Sequence, residues 1–429
     1  MNQSKEAMRA KIATSMSPLY RKIALRLVPF LMLLYMIAFL DRVNISFAAL
    51  TMNRDLGISE SLYGFAAGVF FLGYCLFEVP ANLILARIGA RRWIAILLIV
   101  WGVTSVGTAF VVNKPQYVAA RFLLGIAESG FFPGVIFYLT LWLPRSMRAR
   151  IMALFMLAVP ICNCIGSPIS AHILLMDQVG GLRGWQWLFI LEGAPAVVFG
   201  AVTWFVLADG PADAPWLSTD EHALLRKELH EDESPHSATS TSAWLHLTKA
   251  SVAYFLASVG LYGLTFWLPK LLVSLGTSAT ASGWWAVPPY AAGAIAMVVT
   301  GRFRNQWWLP GMYVLSATGF LGLAVFPGLN SALISFAVAS IGIFGALPLF
   351  WGSATARMSG KDAGPGIAIV NSVGAIGAFT GPAIMGWLHD LTHSYSAGLG
   401  AIALSMALAS VTVPRSAPTA SPTVVPESA

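Results

Sequence analysis

The sequence has few charged residues and few cysteines for its length. Only 10% of its 429 residues are charged and 57% are hydrophobic, whereas a soluble domain carries about 25% charged residues. This number of charged residues is too small to cover a globule of this size in water. The composition therefore indicates that lipid covers much of the chain. The cysteines, Cys75, Cys162 and Cys164, lie in apolar stretches, so they imply no disulfide framework and favour a role in helix packing.

Long apolar stretches recur along the whole sequence. Each is about 20 residues long, enough to cross ~30 Å of hydrocarbon at a rise of about 1.5 Å per residue. Their apolar residues are continuous rather than alternating, which excludes an outer-membrane barrel. They predict an all-α membrane protein with twelve transmembrane helices. The candidate spans are 22–50, 61–85, 93–112, 115–142, 151–174, 185–207, 250–273, 282–301, 307–327, 331–355, 363–388 and 395–413.

The net charge of +7 is explained by the positions of the basic residues. If the N-terminus is cytoplasmic, most of the 26 basic residues fall in cytoplasmic segments. The outer loops then hold only Arg54, Lys114, Arg183 and Lys270. This bias follows the positive-inside rule, so we predict that both termini are cytoplasmic, and we expect no nucleic-acid partner.

One long polar stretch divides the spans six and six. Within it, Ser218 and Glu221 have the spacing of a capping box, which predicts a short amphipathic helix. The segments 86–93 and 301–308 resemble each other, since an Arg precedes a Trp by six residues in both, and such repeats are common in transporters. The predicted domains are an N-terminal six-helix bundle at 1–208, a cytoplasmic linker at 209–248, a C-terminal six-helix bundle at 249–414 and a flexible tail at 415–429.

Several charged residues lie inside the predicted spans. A charge at the centre of a membrane helix costs ~2.5–3.5 kcal/mol on insertion scales, so each one needs a partner or a function. The helical rise places Asp41 and Arg121 at similar depth in the outer half, so we expect these two to face each other. Arg42 points about 100° away from Asp41 and would then be available to bind an anion. The clear cases are Asp41 and Arg42 in span 1, Glu78 in span 2, Arg121 and Glu128 in span 4, and Glu192 in span 6.

Glu128 differs from the other carboxylates. It lies two turns after Arg121 on the same helix face, nearer the midplane, and has no obvious basic partner at its own depth. We therefore expect Glu128 to take up and release protons. Glu78 and Glu192 lie where a structural role is expected. The alternative is that the charges of spans 1 and 4 form static salt bridges that hold helices together.

The second half of the chain has polar and aromatic side chains instead of comparable charges. Asn371 and Ser372 interrupt a glycine-rich helix, where small residues permit close packing. An amide there either bonds neighbouring helices or binds hydroxyl and carboxylate groups of a ligand, and the sequence leaves both open. The candidates are Tyr262, Thr265, Trp284, Trp285, Tyr290, Trp351, Asn371 and Ser372.

Four motifs that occur in order resemble a known family. Together they resemble the anion:cation symporter family of the major facilitator superfamily over essentially the whole membrane portion. Within it, the chain is most similar to bacterial permeases for tartrate, hydroxyphenylacetate, phthalate and sugar acids such as galactonate, with mammalian sialin more distant. The motifs are DRVNISFA at 41–48, ARIGARRW at 86–93, RFLLGIAESGFFPG at 121–134 and GWQWLFILEG at 184–193.

The resemblance implies a major facilitator fold and roles for individual residues. It implies that Asp41 and Glu128 carry protons and that Arg121 is linked to coupling. Two positions depart from the superfamily pattern, because Ala86 and Gly301 stand where an acid usually precedes the loop arginine. These departures concern how the inner gate is held closed. The implied substrate contacts are Arg42 for a carboxylate, Tyr74, Trp351, Asn371 and, as a candidate amide in span 5, Asn163.

These observations predict a proton-coupled symporter. We expect it to import a small organic anion, such as a hydroxy-dicarboxylate, sugar acid or aromatic carboxylate, by alternating access across the bacterial inner membrane. The expected partners are the anion, protons and the lipid bilayer, and we expect a monomer without metal or cofactor. The sequence has no nucleophile–base set at one depth, so we do not expect an enzyme. The alternative is a membrane sensor or channel for organic anions, although a channel should show charged rings or pore motifs from several subunits.

Overall fold

In the computed structural model, residues 17–231, 241–303, 305, 307–355 and 363–413 are described, and these ranges contain helices and no strand. We call α1–α9 the first half and α11–α17 the second half. The helices are α1 Pro18–Val43, α2 Ile45–Asp55, α3 Glu60–Ile88, α4 Ala90–Thr108, α5 Lys114–Glu128, α6 Phe131–Thr140, α7 Arg145–Met156, α8 Ala158–Ile173, α9 Gly184–Val206, α10 Thr219–Glu231, α11 Thr241–Ser274, α12 Ala279–Trp285, α13 Val287–Thr300, α14 Trp308–Val325, α15 Leu329–Thr355, α16 Ala363–Thr392 and α17 Ser396–Thr412.

The predicted spans coincide with helices. Over the described ranges, ten helical segments are long and apolar enough to cross a membrane. The remaining two predicted spans, 282–301 and 395–413, coincide with the shorter helices α12–α13 and α17. The predicted all-α membrane class is therefore confirmed. The placement of the termini in the cytoplasm, and the domain limits at 208, 248 and 414, stay predictions.

Three spans are built from two helices with a break between them: α5–α6, α7–α8 and α12–α13. A proline follows each break within a few residues, at Pro133, Pro160 and Pro288. Because proline has no backbone N–H, the carbonyl four residues before it loses its helical partner. The first span is different, since α1 and α2 meet at Asn44, whose N–H still bonds the carbonyl of Leu40 at 2.9 Å. The charged residues Asp41 and Arg42 therefore lie at the end of α1, where α1 meets α2.

The two halves pack along α3 and α16, along α8 with α12 and α13, and along α2 with α11. Glycines permit the close approach of α3 to α16. A Cβ added at Gly64 would lie 2.2 Å from the carbonyl oxygen of Pro382, and one at Gly68 would lie 2.6 Å from that of Phe379. Small residues at such crossings let membrane helices touch backbone to backbone. The interface between the halves is therefore tight at this end of α3.

Polar bonds join the halves at the beginning of α3. Lys270 of α11 forms an ion pair with Glu60, and the Tyr63 hydroxyl donates to the carbonyl of Phe266 at 2.6 Å. Lys270 is 9% exposed, and its ammonium lies 4.9 Å from the centre of the Tyr63 ring. We call this contact the Glu60 end; the positive-inside prediction places it at the outer surface. The halves are joined there.

The segment between the halves is attached to the first half. The side chain of Ser218 accepts from the N–H of Glu221 at 3.2 Å, and Glu221 accepts from the N–H of Ser218 at 2.8 Å, so the predicted capping box of α10 is confirmed. Lys22 of α1 donates to Glu221 at 2.7 Å, and this bond holds the pKa of the Glu221 carboxyl below its usual range. Arg91, in the loop motif that lacks an acid, pairs with Asp209 at 2.8 Å.

Candidate functional site

A cavity lies between the two halves, with walls mainly from α1, α3, α11 and α16. Its volume is about 60 Å³, enough for roughly four to six waters at 10–15 Å³ each. Its lining is mostly aromatic and aliphatic, with few polar groups, as is usual for small-molecule sites. The lining residues are Tyr35, Phe39, Arg42, Phe71, Tyr74, Phe132, Met156, Val159, Tyr254, Ser258, Leu261, Tyr262, Leu347, Asn371, Gly374, Ala375 and Ala378.

Arg42 is the cationic side chain of this lining. It is only 8% exposed, and its guanidinium carbon lies 5.0 Å from the Phe70 ring centre and 5.6 Å from that of Tyr74. Its Nη1 donates to the Tyr262 hydroxyl at 3.5 Å, across the interface between the halves. Aromatic faces stabilise a desolvated guanidinium. Arg42 is therefore held at the cavity wall by rings and by one long bond to the second half.

Arg42 is also paired with Glu128. Its Nη2 and Nε donate to one oxygen of Glu128, Oε2, at 2.8 and 3.3 Å. The Glu128 carboxylate is 1% exposed, and its Oε1 has no hydrogen-bond partner in the described part of the chain. The predictions that Arg42 is unpaired and that Glu128 lacks a basic partner are both wrong. The arginine side chain is long enough to cross from α1 to the end of α5, which the estimate of backbone depth did not include.

Asp41 does not pair with Arg121, so that prediction is wrong. The Ser105 hydroxyl of α4 donates to Asp41 Oδ1, and so does the Asn44 side-chain amide, at 3.2 Å. Asp41 Oδ2 has no partner within the described residues. Asn44 lies one helical turn after Asp41, so its amide can bond the carboxylate in place of Arg121. A buried carboxylate that is bonded by neutral donors, rather than by a cation, can accept a proton.

Arg121 is fully buried and bonds to backbone rather than to a carboxylate. Its Nη2 donates to the carbonyl of Arg42 at 3.2 Å, and its guanidinium carbon lies 5.3 Å from the Phe70 ring centre. Its Nε and Nη1 have no hydrogen-bond partner among the residues described. Arg121 therefore supports the backbone that carries Arg42.

The predicted substrate contacts occupy three different places. Tyr74 and Asn371 line the cavity. Trp351 lies behind the wall, with its ring centre 5.1 Å from that of the lining residue Tyr254. Asn163 faces another, smaller space between the halves, and its amide donates to its own helix, to the carbonyl of Val159 at 3.0 Å. The structure therefore brings Arg42, Tyr74 and Asn371 to one cavity and leaves the other two outside it.

Sequence reasoning missed Tyr35, Tyr254 and Ser258. The spacing of Tyr254, Ser258 and Tyr262 places them at successive i, i+4 positions on one face of α11. Tyr35 likewise lies one turn before Phe39, on the face that carries Arg42. A polar stripe along an otherwise apolar span is the signal that could have found them.

A cluster of three carboxylates and two arginines is buried in the first half, namely Asp41, Glu128, Glu192, Arg42 and Arg121. The third carboxylate, Glu192, is 2% exposed and accepts from the Ser170 hydroxyl at 2.6 Å. Buried charges must be paired or neutralised, so the excess acid can be balanced by a proton or a bound ion. Across the described ranges, no group of three potential metal ligands occurs.

Comparisons with known proteins agree with this architecture. The sequence matches the Major Facilitator Superfamily profile over residues 31–382. It is 43% identical over 411 residues to a putative tartrate transporter of Agrobacterium vitis, covering 93% of this chain and 95% of the relative. It is 40% identical over 394 residues to the putative metabolite transport protein NicT of Pseudomonas putida, covering 89% and 90%.

The fold is similar to that of a solved transporter. The xylose transporter XylE from E. coli superposes with a TM-score of 0.73 at 14% sequence identity, over 91% of this chain and 98% of the other. The twelve-helix fold, the multi-pass bacterial membrane location and the absence of enzymatic function predicted from the sequence are confirmed by these findings together. The chain belongs to the Major Facilitator Superfamily of membrane transporters.

Proposed function

We propose that this protein is a proton-coupled symporter that imports a small organic anion. The observation that carries the proposal is the ion pair between Arg42 and Glu128 at the cavity wall. Arginine is suited to a carboxylate because its planar fork can donate two parallel bonds. In the structure part of that fork is engaged by an internal carboxylate.

The ion pair links anion binding to proton binding. While Glu128 is ionised, Arg42 is neutralised and attracts an entering anion weakly. A proton on Glu128 removes the internal competitor, so the positive charge of Arg42 becomes available to the cavity. Linkage is reciprocal, so an anion on Arg42 favours the protonated form of Glu128 by the same factor. Anion and proton are then bound together and carried together.

Asp41 is the second proposed proton site. Its contacts are a hydroxyl and an amide, both of which can also serve the protonated acid. Arg121 bonds the carbonyl of Arg42, the residue that follows Asp41 in the chain. We therefore propose that a proton on Asp41 acts on Arg42 through the short segment that carries both residues.

The substrate class is proposed from the cavity and from the relatives. Relatives of this chain are named as putative tartrate transporters. The cavity is small, and it offers Arg42 for a carboxylate, with Ser258, Tyr262 and Asn371 for hydroxyl groups. A hydroxy-dicarboxylate such as tartrate fits this set best. A sugar acid or an aromatic carboxylate is the next to test.

Transport by alternating access is proposed to divide the chain as the sequence predicts, with bundles at 1–208 and 249–414 joined by the linker at 209–248. The contact at the Glu60 end would open to admit substrate from outside. The carrier is proposed to work as a monomer, because the cavity is complete within one chain.

The test is uptake of radiolabelled tartrate into proteoliposomes that contain the purified protein. We expect saturable accumulation above the external concentration when the outside is acidic, and collapse of that accumulation when a protonophore is added. Saturable flux that ignores the pH gradient would contradict proton coupling. Tartrate binding without any flux would favour the sensor. A thermal-shift screen across organic acids would identify the preferred substrate.

A further inference from the structure

Glu78 forms polar contacts between the halves beside the cavity. It lies on α3, four residues after the lining residue Tyr74. Its Oε1 accepts from the Asn371 side-chain amide of α16 at 2.9 Å, and its Oε2 accepts from the Ser372 hydroxyl at 3.2 Å. The side chain is 3% exposed. Both carboxylate oxygens are therefore bonded by donors from the opposite half.

The donors that hold Glu78 are neutral. No ion pair of Glu78 occurs in the ranges that the structure describes. An amide N–H and a hydroxyl that converge on one carboxylate form a site that any carboxylate could occupy, since bonds to an ionised acceptor are stronger than neutral ones. Asn371 lines the cavity, so a ligand in the cavity can reach this donor. Glu78 therefore occupies donors that an organic anion would also bind.

The charges around the cavity oppose the entry of an anion while Glu78 occupies these donors. Arg42 and Glu128 neutralise each other, and an ionised Glu78 then adds one negative charge beside the wall. An entering carboxylate meets like-charge repulsion and an engaged Asn371 at the same time. Repulsion of this kind is a common way to reject unsuitable ligands.

We propose that Glu78 is a specificity-determining residue, an internal carboxylate that the substrate must displace from Asn371 and Ser372. This rests on the proposed function as an anion carrier. A dicarboxylate can bind Arg42 with one group and replace Glu78 with the other, whereas a monocarboxylate cannot do both. Displacement breaks the bonds between α3 and α16, so substrate binding itself loosens the contact between the halves.

The experiment measures tartrate and glycerate affinity of the purified protein by titration calorimetry, in wild type, Glu78→Gln and Glu78→Met. Both variants remove the negative charge of Glu78, and Met also removes its polar atoms at a similar side-chain length. If only one of the two variants folds, that variant still tests the proposal. We expect tartrate to bind about tenfold or more tightly in the variants, because a like charge a few ångström away at an effective dielectric constant near 20 has at least that effect. The affinity for glycerate, a monocarboxylate, should increase by the same factor or more. The ratio of tartrate affinity to glycerate affinity should therefore decrease.

A second readout separates this role from a merely structural one. In proteoliposomes, the variants should show a lower KM for tartrate together with a lower kcat, because tartrate that is bound more tightly is released more slowly. Cys75→Ala is the control, since Cys75 contacts the Ser372 carbonyl at 3.9 Å in the same interface without carrying charge, and it should leave the tartrate affinity unchanged. Unchanged or weaker tartrate binding in both Glu78 variants, with proton-driven uptake intact in the wild type, would overturn the role of Glu78 and leave the proposed function standing.

Discussion

Arg42 and Glu128, 86 positions apart in the chain, form a buried ion pair with an N–O distance of 2.8 Å at the wall of the central cavity. Burying two charges costs several kcal/mol per ion before their attraction compensates. A protein that only needed to join α1 to α5 could do so with apolar side chains at lower cost. The position of the pair at a cavity between two halves of a transporter therefore favours a function in binding protons and anions.

The first prediction concerns recognition of the carboxylate by Arg42. Arg42→Lys keeps the charge and loses the planar fork, so we expect tartrate binding to weaken about tenfold or more. Titration calorimetry on the purified variant measures this directly. Wild-type affinity in the lysine variant would exclude Arg42 as the carboxylate ligand.

The second prediction concerns Glu128 as a proton carrier. Glu128→Gln keeps a hydrogen-bond acceptor for Arg42 but cannot ionise, so we expect loss of uphill accumulation and retention of exchange between internal and external substrate. Both are measured with radiolabelled substrate in the same proteoliposomes. Glu221→Gln, which removes a carboxylate of α10 outside the predicted spans, is the matched control and should transport normally. Accumulation driven by a pH gradient in Glu128→Gln would rule out this carboxylate.

The third prediction concerns Asp41. Because Asp41 is bonded by Ser105 and Asn44 rather than by Arg121, Asp41→Asn keeps an acceptor oxygen and should change the unfolding temperature by only a few degrees, corresponding to about 1 kcal/mol or less. We expect the same variant to lose proton-driven accumulation. Thermal unfolding and uptake are to be measured on one preparation. A large loss of thermal stability would indicate a structural charge pair instead.

The fourth prediction concerns the number of protons. If Asp41 and Glu128 both release protons in each cycle, a monoanion carries one net positive charge inward, worth ~2.3 kcal/mol per 100 mV. That energy supports roughly fortyfold more accumulation at about 1.4 kcal/mol per tenfold. A dianion with two protons moves no net charge. Currents on a solid-supported membrane distinguish the cases, and electroneutral uptake of a verified monoanion would mean that only one carboxylate cycles its proton.

The sequence by itself determined the membrane class, the approximate spans and the identities of the buried charges of the first half. These follow from local quantities, namely the length of an apolar run at a fixed helical rise and the cost of a charge inside it. For the same reason the capping box of α10 was predictable, because Ser218 and Glu221 are three residues apart. Tyr74 and Asn371 were also placed at the substrate site by family resemblance, and both line the cavity.

The partners of the charges were decided only by the tertiary structure. Arg42, Asp41 and Arg121 each have several groups within reach of a long or rotatable side chain, and the choice depends on how closely α1, α4 and α5 approach. Backbone depth alone paired Asp41 with Arg121, whereas Ser105 and Asn44 lie nearer to Asp41. The contact of Glu78 with Asn371 depends in the same way on the close approach of α3 to α16, which glycines at their interface permit, and a linear pattern does not contain that distance.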